Sequence, residues 1–133
     1  MQHPKLINWE KKLKSVLDKI DIMLEDRYGD KYDLHPARRK HGSTSNRSHD
    51  GLFDIRGDFT LGLGSEKGKG YIIDIDLKTL ENIPKDMIEK IEDEVVSELN
   101  HRLPRTFPNK ELKVERDGNL IKITGDLSLG DVS

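Results

Sequence analysis

DFTLGLGSEKGKGYIIDIDL, residues 58–77, decides the fold. Phe59, Leu61 and Leu63 alternate with Asp58, Thr60 and Gly62. Tyr71, Ile73, Ile75 and Leu77 alternate with Ile72, Asp74 and Asp76. Successive side chains of an extended chain point to opposite faces, so each run lays its apolar residues on one side. The glycine-rich stretch between the runs supplies a turn, because glycine accepts positive φ without strain. Two alternating runs around such a turn predict an antiparallel hairpin with one buried face.

Downstream, Ile88, Ile91, Val95 and Leu99 recur at helical spacing, and Asp86, Glu89, Glu92, Asp93, Glu94 and Glu98 fill the remaining faces. Asn82 is the expected N-cap, Pro84 suits the first turn, and Pro104 is expected to stop this second helix shortly after Leu103. Leu112 and Val114 then precede Asp117-Gly118, with Ile121 and Ile123 after it. Asp-Gly between alternating runs signals a second hairpin. The tail 126–133 is short and expected to fray.

Upstream, Leu6, Trp9, Leu13, Val16, Leu17, Ile20, Met23 and Leu24 recur at three- and four-residue steps. They predict an amphipathic first helix over roughly 5–26, with a glycine C-cap at Tyr28-Gly29. Residues 30–56 show no sustained period and read as a long polar loop. Loops of that length within a compact domain are uncommon and are usually functional or disordered. The expected architecture is therefore α+β, helix-hairpin-helix-hairpin (αββαββ). A four-stranded antiparallel sheet carries both helices on one face, in a single domain over 1–133.

Bulk composition narrows the function classes. The chain has 133 residues, 36% charged and 33% hydrophobic, with a formal charge of −2. It is neither a basic nucleic-acid binder as a whole nor an acidic tail, so any charge argument is local. The absence of cysteine excludes disulfides, thiolate zinc sites and a cysteine nucleophile. Met1-Gln2-His3-Pro4-Lys5 lacks the layout of a signal peptide, and the apolar runs are too short to span a membrane. The expected location is cytoplasmic, with no membrane partner.

Four segments carry candidate chemistry. The stretch Leu34–His49 holds His35, Arg38, Arg39, Lys40, His41, Arg47 and His49 with no acid between Asp33 and Asp50. Arginine forks suit phosphate, and Ser43, Thr44, Ser45 and Asn46 add neutral donors. The plain alternative is a solvated basic loop. The three histidines can also ligate a metal, but their spacing matches no zinc motif and a carboxylate from elsewhere would have to complete the site. The glycine turn, with Gly62, Gly64, Ser65, Lys67 and Gly68, offers backbone N–H groups to an anion. It is not a P-loop or dinucleotide fingerprint, because a strand follows it. Asp74 and Asp76 share a strand face, which Asp58 is expected to join. Three such carboxylates can hold Mg²⁺ or Mn²⁺. The acidic second helix reads as a solvated face, with docking on the lysine-rich first helix as the alternative.

The leading expectation is a small binding domain for an anionic, phosphate-bearing ligand, nucleic acid included. It uses His35, Arg38, Arg39, Lys40 and Arg47 with the Gly62–Gly68 turn and needs no cofactor. A metal-dependent phosphoesterase or phosphotransferase at Asp58, Asp74 and Asp76 is the enzyme alternative. An assembly protein is the third, a homodimer for instance, meeting its partner through Trp9 or Ile72.

Overall fold

A computed structural model describes residues 4–44, 50–60, 70–117 and 120–125. Its elements are α1 (Pro4–Tyr28), β1 (Phe53–Thr60), β2 (Gly70–Leu77), α2 (Lys85–Thr106), β3 (Leu112–Asp117) and β4 (Leu120–Gly125). The strands form one antiparallel sheet in the order β1-β2-β4-β3. The class is α+β, as the two periodicities require.

Each element buries the residues its period selects. Leu13, Val16, Leu17, Ile20 and Leu24 of α1 are buried, as are Ile91, Val95, Leu99 and Leu103 of α2. From the strands come Phe53, Ile55, Tyr71, Ile73, Ile121 and Ile123. The register sets Ile55 opposite Ile75, Tyr71 opposite Ile123 and Ile73 opposite Ile121, so these side chains share one face across three strands. The Trp9 ring lies 5.1 Å from Tyr71 and 5.4 Å from Phe107, centroid to centroid. It thereby joins the start of α1, the sheet and the chain just after α2. On the opposite face of the sheet Lys122 is also buried, in a row with Ile72 and Glu115.

Four local expectations need correction. First, β1 begins at Phe53, so the polar loop ends at Leu52 rather than at residue 56. Phe53 and Ile55 continue the period-two run, but Gly57 disguises it. That glycine sits in mid-strand because the Tyr71 ring lies across it: a Cβ there would be 2.0 Å from Tyr71 Cε1. The Tyr71 hydroxyl donates to the Gly57 carbonyl at 2.9 Å. Second, Gly29 is not among the left-handed glycines, which are Gly42, Gly51 and Gly125. Its N–H bonds the Glu25 carbonyl and simply extends the helical ladder. Third, α2 starts one residue after Pro84, with no side-chain cap, so Asn82 plays no capping role. Fourth, Pro104 lies inside α2, and the helix runs on to Thr106.

The acids of α2 are only partly solvated. Glu94 accepts hydrogen bonds from Arg27 at 3.0 Å and from the Tyr28 hydroxyl at 2.6 Å, tying α2 to the end of α1. Glu92 and Asp93 pair with Arg116 of β3. The cations named across elements are Arg27 and Arg116, whereas Lys14 of α1 pairs within its own helix, with Asp18.

Candidate functional site

The segment between α1 and β1 is folded wherever it is described. The His35 N–H bonds the Lys78 carbonyl at 2.8 Å, and the Lys78 N–H bonds the Leu52 carbonyl at 2.7 Å. Arg39 and Asp50 form an isolated parallel bridge. Arg38 locks the segment from inside. Its Nε donates to the Gly51 carbonyl at 2.9 Å, and its Nη2 donates to the carbonyls of Asp50 at 3.1 Å and Phe53 at 3.2 Å. Irregular backbone leaves carbonyls without ladder partners, and a guanidinium fork can serve several at once. Asp50 Oδ2 accepts from Thr44 N at 2.9 Å and Thr44 Oγ1 at 3.0 Å.

This folding closes the loop over the C-terminal half of α1. Asp21 and Glu25 are one turn apart and so point the same way. They are 2% and 8% exposed, and Asp50 is 0% exposed. Glu25 is held by two backbone donors, Leu52 N to Oε1 at 3.1 Å and Phe53 N to Oε2 at 3.2 Å. Gly51 lets the chain pass this close: its φ is +77°, and a Cβ there would lie 2.1 Å from Glu25 Oε2. His41 Nδ1 stands 3.7 Å from Asp50 Oδ1 and 4.0 Å from Glu25 Oε2. One ligating atom each from Asp21, Glu25 and His41 fit within 4.8 Å of one another.

The electrostatics follow from this crowding. Burial, then the charges of Glu25, Asp50 and Asp18, push the Asp21 carboxyl up to about 8, with Arg38 opposing weakly. Burial also pushes Asp50 upward, but the hydrogen bonds from Thr44 and Gly42 and the nearby His41 outweigh it and hold that carboxyl below its usual range. Asp21 Oδ1 and Asp50 Oδ1 are both buried without a hydrogen-bond partner.

The sequence candidates are scattered by comparison. His35 and Arg38, with Ala37 and Lys78, line a shallow cleft of about 290 Å³. Arg39 and Lys40 are exposed. Arg47, Gly62, Gly64, Ser65, Lys67 and Gly68 lie outside the described residues, as do His49 and the tail. The strand aspartates do not converge on a metal position. Asp58 faces Ile72, Asp74 faces Arg56 and Asp76 faces Asp54. Asp76 is bound to Lys78 at 2.7 Å, and Asp54 has Arg56 at 3.4 Å. Local cations thus pair with Asp76 and Asp54, and among the described residues the strand aspartates form no metal-type cluster.

Sequence reasoning passed over Asp21, Glu25 and Asp50. The available signal was an acid at a helical position flanked by the stripe Leu17, Ile20, Leu24, where a charged side chain is rarely buried unpaired. A second basic cleft, of about 280 Å³, is lined by Lys19, His101, Arg102 and Arg105 with Val16 and Thr106. It too was illegible in sequence, because its residues come from two distant helices.

Fold and site together define a small α+β protein whose inter-element loop encloses a carboxylate–histidine cluster. The chain belongs to a family described as "Uncharacterised protein", whose model matches residues 4–125. A Borreliella burgdorferi protein, described as "Uncharacterized protein", is 38% identical over 106 residues, covering 80% of this chain and 83% of that one. No solved structure matches. Among the described residues, no helix is long and apolar enough to cross a membrane.

Proposed function

We propose that this chain is a small cytoplasmic binding domain for an anionic, phosphate-bearing ligand, nucleic-acid backbone included, docked on the basic rim of the folded loop. The observation that carries the reading is the cleft lined by His35, Ala37, Arg38 and Lys78, with no acid among the described residues of its wall. Arg39 and Lys40 stand exposed in the same segment. Arg38 is committed to backbone carbonyls, so its part is to fix the loop and lend charge. Lys78 donates to Asp76 at 2.7 Å and lies 3.8 Å from Asp54 Oδ2, so it contributes as a partly neutralised cation at the cleft wall. In this reading the two helices cover one face of the sheet, and the loop at the end of α1 presents the ligand surface.

The test separates charge from scaffolding. A fluorescently labelled short oligonucleotide, with inorganic pyrophosphate as competitor, is titrated at several salt concentrations. Binding is expected to weaken as salt rises, and the double substitution Arg39→Ala/Lys40→Ala to weaken it about tenfold without lowering the melting temperature. Equal affinity in the double variant overturns the proposal.

A further inference from the structure

We infer that Asp21, Glu25 and His41, with Asp50 beside them, form a binding site for a single divalent transition-metal ion of the zinc, manganese or iron(II) type. The inference is independent of the anion-binding reading, since none of its ligands is His35, Arg38, Arg39, Lys40 or Lys78.

Three features carry it. The first is convergence from separate elements: a helix turn supplies Asp21 and Glu25, and the folded loop supplies His41 and Asp50. Their ligating atoms lie 3.7–4.0 Å apart around His41 and within 4.8 Å for the Asp21–Glu25–His41 set. Ligands on one tetrahedral ion at about 2.1 Å stand about 3.4 Å from each other. His41 approaches from the solvent side, its side chain 32% exposed, so closing to that spacing takes adjustment of His41 and of the two helix carboxylates together.

The second feature is the pair of orphaned oxygens. Asp21 Oδ1 and Asp50 Oδ1 are buried and accept nothing, although buried polar atoms nearly always have a partner. Asp21 is 98% buried by its 2% exposure, and on α1 it shares a face with Glu25. Three buried carboxylates gather beside one imidazole, and the nearby Arg38, whose N–H groups go to carbonyls, offsets Asp21 only weakly. A cation between them would satisfy both oxygens and the charge.

The third feature is the supporting shell. Backbone N–H groups of Leu52 and Phe53 orient Glu25, and Thr44 orients Asp50, leaving one oxygen of Asp50 turned toward His41. Ligating carboxylates are typically held in this way. An imidazole among carboxylates selects zinc, manganese or iron(II) over calcium or magnesium, which prefer all-oxygen sites. The exposed edge of His41 gives the ion a route from solvent.

The test uses the full chain, stripped with chelator and titrated with ZnCl₂, MnCl₂ or MgCl₂ while melting temperature and heat of binding are followed. One Zn²⁺ per chain is expected, with a rise of about 5 °C in melting temperature at saturating metal, and Mg²⁺ is expected to do much less. Asp21→Asn and His41→Gln should each weaken Zn²⁺ binding at least tenfold, while His35→Gln should leave it intact. Co²⁺ in place of zinc should give a visible absorption band that His41→Gln abolishes. Two results overturn the inference: no stoichiometric metal, which leaves a shared proton as the occupant of the cluster, or affinity unchanged in both Asp21→Asn and His41→Gln.

Discussion

Asp21 combines an acidic side chain with a place in the apolar stripe of α1, and the conflict makes a pH prediction. Burial, with the neighbouring carboxylates, pushes its carboxyl up to about 8 in the folded chain from an ordinary 3.8. Between those values the folded state keeps a proton that the unfolded state has released. Stability from this group therefore falls as pH rises from about 4 to about 8, by an amount on the order of a few kcal/mol. Asp50 behaves oppositely, but its lowered pKa confines the effect to pH below about 4. In metal-free protein, urea unfolding at pH 5.5 and pH 8 should show the higher midpoint at pH 5.5. Asp21→Asn, which removes the titration, should flatten that difference and gain stability at pH 8. A wild-type midpoint that rises across this window would contradict the burial of an unpaired Asp21.

At the scale of elements, most boundaries were legible because each helix and strand has its own period. Three of the misreadings, at Gly57, Arg38 and Asp50, share one cause: a residue chosen for a tertiary neighbour. Gly57 reads as a break in sequence, yet it is the slot for the Tyr71 ring of the adjacent strand. Arg38 reads as a free phosphate ligand, yet three backbone carbonyls use its guanidinium. Asp50 reads as the edge of a basic loop, yet it is wholly buried. The cluster escaped for the same reason, because Asp21 and His41 are brought together only by the fold of the intervening loop. The β1–β2 pairing yields a direct check. Gly57→Ala must displace the Tyr71 ring and should cost about 1–3 kcal/mol. In a Tyr71→Leu background the same change should cost markedly less, a coupling measurable in a double-mutant cycle. Additive costs would mean that the glycine serves some other neighbour.

For the molecule as a whole, the question is whether the cluster and the far end of α1 unfold together. Trp9 is the chain's only tryptophan and is 4% exposed. It packs on Tyr71 of β2 and on Phe107 just past α2, so its fluorescence reports separation of helix from sheet. Glu25 lies on the same helix about 24 Å away, at 1.5 Å per residue. Between them Leu13, Val16, Leu17, Ile20 and Leu24 are buried without a gap, and Glu94 clamps the C-terminal end through Arg27 and Tyr28. A helix buried along its length has no place to fray partway, so loop, cluster and Trp9 should melt as one unit. Trp9 fluorescence and far-UV circular dichroism should give coincident midpoints. Asp21→Asn should move the Trp9 midpoint as far as the dichroism midpoint, although it touches nothing near the indole. Midpoints that separate, with the fluorescence change unaffected by a substitution at Asp21, would show instead that the loop and its cluster open independently of the packed sheet.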